Sequence, residues 1–317
     1  MVSRLPRVRS FAAVLSLAVS TGLGQAQPAP IGQTDMACVP GRLAQQDRSR
    51  PVPSKADLIM AWQTRQAAIT SFRFAWTEEQ THARGWAPNP RYPERERLAT
   101  PGLLTDRRHV VTKSLLVADN RMRYSFELDR RTDPDAGIRP SGNWRHYSYS
   151  YLSLFDGRRG TVRLTTLLDS PPPTTLETTA NVDAQNLDVR PILMAFRPLD
   201  PVMGHLLMDR AVANSSRTFY QGKSIFLLEE RRDPSGWKTI LWIEPERDFL
   251  VSRYVVIFEE TCMVEIDIDY RHEAQWGWIP SAWRVTELLT DGSRRLLSTA
   301  RITAYSINGS VEQAEFR

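Results

Sequence analysis

Glu265, Asp267 and Asp269 stand at every second position of one segment and form the closest group of carboxylates in the chain. In a strand that spacing puts all three on one side, near enough to share a proton or to hold a cation. The same alternation sets Val264, Ile266, Ile268 and Tyr270 on the other side, so the acids read as the wet face of a sheet, with Arg253 and Arg284 able to pair with them. The five histidines, His82, His109, His146, His205 and His272, show neither the i, i+4 spacing of a helical metal site nor the i, i+2 spacing of a strand site. No Gly-x-Ser-x-Gly elbow or phosphate-cradling glycine loop is present, and neither Cys38 nor Cys262 lies in a motif that marks a nucleophile. These residues argue against an enzyme and call for no metal and no cofactor. A hydrolase would need His146 or His272 beside an acid in a polar cleft. The two cysteines are open to either of two readings, a disulfide formed in an oxidising compartment or two separate thiols.

What remains for function is binding, and the elements that would do it are strands. Phe72, Phe74 and Trp76 alternate with Arg73 and Ala75, and Tyr124, Phe126 and Leu128 alternate with Ser125 and Glu127. Each is a strand with one aromatic face. Tyr147, Tyr149, Tyr151 and Ser153 share one side of another, and Asp156-Gly157 turns it back through Val162 and Leu164. Six further strands are expected at residues 224–230, 238–243, 253–259, 263–271, 282–289 and 296–307, with hairpin turns at Asp233-Pro234-Ser235-Gly236 and Asp291-Gly292. Ahead of the strands, Ser54 and Asp57 are spaced as a capping box, and Leu58, Trp62 and Ile69 mark the buried stripe of a helix of about four turns. Residues 85–101 and 132–142, rich in proline and charge, read as loops. Between the two groups of strands, a polar stretch runs from Pro171 to about Asp188, and the apolar runs 191–196 and 202–207 read as two short helices or turns. Trp276-Gly277-Trp278-Ile279-Pro280 is either an exposed stacking loop or a turn folded back on the core.

Residues 1–26 place Arg4, Arg7 and Arg9 before the apolar run 11–19 and end in Gly24-Gln25-Ala26, the pattern of a cleavable signal peptide too short to span a bilayer. No later stretch reaches transmembrane length. Residues 27–53, with Pro28, Pro30, Pro40, Pro51 and Pro53, read as a disordered lead-in, and residues 54–317 as one domain. The expected location is periplasmic or secreted. Of the formal charge of +5, three positive charges belong to the leader, so a surplus of two remains afterwards. That surplus makes no footprint for nucleic acid.

Several of these segments together resemble the lipoprotein carrier and outer-membrane lipoprotein-sorting (LolA-like) family. They are the helix with Trp62 and Ile69 running into Ser71-Phe72-Arg73-Phe74, the turn Phe155-Asp156-Gly157-Arg158, and Leu241-Trp242-Ile243-Glu244-Pro245-Glu246 followed by Phe249, Leu250 and Arg253. The resemblance spans residues 55–310. It implies a β-rich α+β fold, a strongly curved antiparallel sheet forming an open half-barrel with an N-terminal helix and a mid-chain helical insertion. It further implies that Phe72, Phe74, Trp76, Tyr124 and Phe126 line the concave face, that Leu193, Met194, Phe196 and Leu206 belong to a helical lid, and that the bound partner is a lipid, a lipoprotein or another apolar ligand. The chain departs from the family at the end of an early strand, where Val117-Ala118-Asp119-Asn120 replaces a basic residue before proline. The contrasting expectation is a structural or protein-interaction module of the cell envelope whose concave face is filled by its own core.

Overall fold

The computed structural model describes residues 54–82, 107–128, 149–166, 174–178, 187–200, 212–220, 223–230, 237–258, 261–288 and 294–316. The leader 1–26, the lead-in 27–53, the loops 85–101 and 132–142, the apolar run 202–207, Cys38, His146, His205 and Leu206 lie outside these. By its internal contacts the chain divides into two units, Met1–Thr34 with His82–Arg107 and Asp35–Thr81 with Arg108–Arg317. Only His82 and Arg107 of the first are described. The second carries the helices and the sheet.

Helix α1 (Lys55–Ala68) begins where the capping residues require. The Ser54 hydroxyl accepts the Asp57 N–H at 3.1 Å, and the Asp57 carboxylate accepts the Ser54 N–H at 2.8 Å. The hydrogen bonds from Ser54, side chain first and then backbone, hold the Asp57 carboxyl below its ordinary range. Leu58, Trp62 and Ile69 are buried, as the stripe predicts. At the other end, the Arg197 guanidinium donates to the carbonyls of Gln66 (3.2 Å), Ile69 and Thr70 (2.8 Å), which have no partner within the helix.

The strands are β1 (Ser71–His82), β2 (Arg107–Ala118), β3 (Arg121–Leu128), β4 (Tyr149–Phe155), β5 (Gly160–Thr166) and β6 (Thr174–Thr178). After helix α2 (Arg190–Phe196) come β7 (Val212–Tyr220), β8 (Lys223–Glu230), β9 (Trp237–Glu244), β10 (Leu250–Phe258), β11 (Thr261–Glu273), β12 (Gly277–Leu288) and β13 (Arg294–Ile307). They form one antiparallel sheet in the order β6-β5-β4-β3-β2-β1-β13-β12-β11-β10-β9-β8-β7. The sheet is curved and open, the expected half-barrel. Register shifts interrupt the ladders between Ala75 and Trp76, Val251 and Arg253, Asp269 and Tyr270, and Val285 and Thr286. Each such bulge bends its strand and adds twist.

Three strands carry no clear alternation in the sequence. β2 reads as the run Leu115-Leu116-Val117-Ala118 because both of its faces are covered there, whereas Val110 nearer its start is exposed. Leu115 and Val117 belong to the side packed on the helices, while Leu116 and Ala118 lie under Val311 and Phe316 of the C-terminal 3-10 turn (Gln313–Phe316). β6 and β7 are the two edges of the sheet, and their polar sequences suit edges. The polar stretch after Pro171, where the sequence shows no strand rhythm, therefore contains a strand.

β6 and β7 follow each other in the chain yet stand at opposite edges, on the order of 60 Å apart along the contour of the curved sheet, and residues 179–211 are the connection between them. Helix α2 lies within that connection. It contacts β10, β12 and α1, and all seven of its residues are buried. Pro191 occupies its first turn, as the sequence predicts.

The opposite, outer face is drier than alternation along β11 implies. Ile225, Ile240, Trp242, Val255 and Ile257 form a second buried cluster there, flanked by Tyr220, Leu227 and Leu288. Glu265 sits opposite Val255 and is only 1% exposed, so the expected wet face is wet at Asp269 and Arg271 but not at Glu265.

Candidate functional site

Antiparallel register places the inner-facing side chains in rows that run across the strands. One row passes from Trp283 on β12 through Ala300 on β13 to Glu78 on β1. Glu78 meets Lys113 on β2 at 2.8 Å, and the row continues through Phe126 on β3 and Tyr151 on β4 to Leu164 on β5. A neighbouring row holds Trp76 and Tyr124, whose rings stack 6.1 Å apart.

The row changes character along its length. At its β12 end Trp283 meets Trp76 of the neighbouring row at 5.6 Å, and further along β1 Phe196 of α2 packs on Phe74 at 5.5 Å and on Phe72 at 5.0 Å. All of these rings are buried. At the other end Phe126 and Tyr151, stacked 5.0 Å apart, are only half-buried, and Leu164 is 39% exposed.

Where the two ends meet stands a buried polar centre. The Lys113 side chain is 2% exposed and pairs with Glu78, also 2% exposed, and with Asp188, which is 16% exposed and precedes α2. The Tyr124 hydroxyl donates to the same Asp188 oxygen that Lys113 engages, at 3.1 Å, and the Gln80 amide donates to Glu78 at 3.1 Å. Burial alone would lower the Lys113 ammonium, but the charges of Asp188 and Glu78 outweigh it and hold the proton above the ordinary lysine value. Burial, and then repulsion from Asp188, push Glu78 up against the pull of Lys113. Two further buried cations tie α2 down: Arg190 lies 5.4 Å from the Tyr254 ring, and Arg197 lies 5.6 Å from the Phe72 ring. The indole N–H groups of Trp76 and Trp283 are buried without an acceptor.

The residues read from the sequence as lining or lid are thus placed as follows. Phe72, Phe74, Trp76 and Tyr124 are buried under or beside α2, Phe126 is half-buried, and Leu193, Met194 and Phe196 are buried in α2 itself. Cys262 stands on β11 opposite Ile257. The carboxylate ladder is engaged by arginines: Asp267 by Arg253 at 2.6 Å, as anticipated, and Glu265 by both contacts of Arg294, at 2.7 and 2.9 Å. Burial pushes the Glu265 carboxyl up in spite of them. Among the described residues no three His, Cys, Asp or Glu side chains come together as a metal site. His272 is exposed and meets the edge of Trp278 at 5.1 Å, and Arg247 lies 4.7 Å from that ring, so the Trp-Gly-Trp turn is folded against its neighbours. Among the described residues, no helix is long and apolar enough to cross a membrane.

No family model matches the chain, and no curated protein matches its sequence. Solved structures do resemble it. A LolA superfamily protein from Nitrosomonas europaea aligns over 84% of this chain and 98% of its own, with 10% identity and a TM-score of 0.45. A DUF1329 family protein from Desulfovibrio piger aligns over the same share of each chain, with 8% identity and a TM-score of 0.39. MucB, in its complex with MucA(peri), aligns over 83% of this chain and 59% of its own, with 10% identity and a TM-score of 0.19. The first of these belongs to the superfamily that the helix, the Asp-Gly turn and the Trp-Ile-Glu-Pro segment resemble.

Proposed function

We propose that this protein is an exported, non-enzymatic carrier that holds a lipid, an acyl chain or another apolar ligand on the inner face of the open sheet. The observation that carries this reading is the aromatic row itself. Its Phe126 and Tyr151 rings, half-buried, pack on the buried Tyr124 of the neighbouring row, and from Phe126 the row reaches the exposed Leu164 without a polar side chain between them. Open apolar surface joined to a dry aromatic interior suits a chain-like ligand, which gains by leaving water and needs few directional contacts. Native mass spectrometry of protein purified gently from the periplasm tests it. A co-purifying species of lipid mass, removed by delipidation and replaced by diphenylhexatriene, is expected. A bare chain that takes up no diphenylhexatriene after delipidation overturns the reading.

A second reading is favoured by one specific observation, the burial of every residue of α2 against Phe72, Phe74 and β12. On this reading the face is a self-filled core, and the protein is an interaction module of the envelope. A partner protein recovered by pull-down with no lipid carried along distinguishes it.

A further inference from the structure

We propose that Lys113 and Tyr124 form a head-group site for the carboxylate of a single-chain anionic amphiphile, and that Asp188 occupies this site in place of the ligand. The inference rests on the carrier reading and names the class of ligand. Its basis is the position and the count of charges. Lys113 is the cation on the cross-strand row at the point where the dry aromatic end gives way to the half-open one, and its ammonium lies 5.5 Å from the Phe126 ring. An apolar tail along Phe126, Tyr151 and Leu164 would therefore end its path at a positive charge.

Two carboxylates share that one ammonium, and they are not equivalent. Glu78 is part of β1 and as buried as Lys113 itself. Asp188 lies on the connection between the sheet edges, two residues before α2, and is the more exposed of the two. Lys113 and Tyr124, which both engage Asp188, are fixed on neighbouring strands of the sheet, so their cradle remains if Asp188 leaves. A carboxylate from outside can take both contacts like for like, and charge is conserved in the exchange. α2 has no side-chain cap at its start, and the pairing of Asp188 ties the approach to that helix to the sheet. Exchange thus links occupation by a ligand to release of that approach from Lys113.

The test uses the delipidated protein with two fluorescent probes of one tail and different heads, cis-parinaric acid and its methyl ester. In Asp188→Asn the internal competitor loses its charge, and the ratio of acid to ester affinity is expected to rise about tenfold, the worth of one charge-assisted hydrogen bond. In Asp188→Asn combined with Tyr124→Phe, which keeps the ring and removes one donor where the charged competitor is gone, the ratio is expected to fall about threefold from the Asp188→Asn value. If both probes bind and neither substitution alters the ratio, the head-group site is overturned while the carrier reading stands. If neither probe binds the unsubstituted protein, both fall together.

Discussion

The inner face has two halves built from the same kinds of side chain, and they are not covered alike. Under α2, Phe72, Phe74 and Trp76 are fully buried, and Phe196 is wedged between the first two. A few strands away Phe126, Tyr151 and Leu164 stand on the same face in unbroken register and remain partly exposed. Side-chain chemistry does not account for the difference, since aromatic strands occupy both halves. Topology does: the connection between the two edges brings its helix against β10 and β12, and the face is dry where that helix rests. On the carrier reading, the covered half supplies stability, and the uncovered half retains the apolar surface that the ligand uses.

That division can be broken by substitution. Phe196→Ala, which empties the space between two buried rings, should cost about 3–5 kcal/mol in chemical denaturation, the largest effect of those considered. Lys113→Met leaves Glu78 and Asp188 facing each other without their cation and should cost about 3 kcal/mol by the same measurement. A stability loss below 1 kcal/mol in both would mean that the covered half is not what holds the fold together.

A change of pH sharpens the same contrast. Folded Glu78 keeps its proton to a higher pH than it does in the unfolded chain, where the ordinary value is 4.5. In the window above 4.5 the folded state therefore binds more protons than the unfolded one, and the contribution of this group to stability falls as pH rises. Glu78→Gln should flatten that part of the dependence of the denaturation midpoint on pH. The half-open side should respond weakly. Tyr151→Ala gives up ring contacts with Tyr124 and Phe126 and should cost about 1 kcal/mol. Leu164→Ser should stay within about 0.5 kcal/mol, yet lower the affinity for diphenylhexatriene measured by fluorescence titration.

The polar centre shows which parts of the site were legible in the sequence. Glu78 continues the phase of Phe72, Phe74 and Trp76, and Lys113 shares that of Val111, Leu115 and Val117, so the period of two already turned both charges inward. That signal was readable but was obscured by the usual preference of charged residues for water. Asp188 was not readable. It arrives on a connection whose path depends on the sheet order, and no local pattern encodes that β6 and β7 are opposite edges. The hairpins from β8 to β13 were legible because each is closed by neighbours in the chain, and the α1 cap because it spans four residues. Glu265 was misplaced for a related reason. Alternation assigns a residue to a face but does not say whether that face is dry, and here Val255 and Arg294 enclose it.

The pairing of β1 with β13 bears on when the fold can exist at all. Phe72 lies opposite Ile307, so the strand made first among those described is completed by the one made last. A chain delivered N-terminus first, from a ribosome or through a translocation pore, can close its early hairpins as they emerge but must wait for its final segment before the central seam can zip. Contacts so distant in sequence make folding slow. On the proposed reading, in which the chain is exported, that delay is useful: the sheet does not lock before the C-terminal strand has reached the far side, and the aromatic strand β1 stays threadable until then.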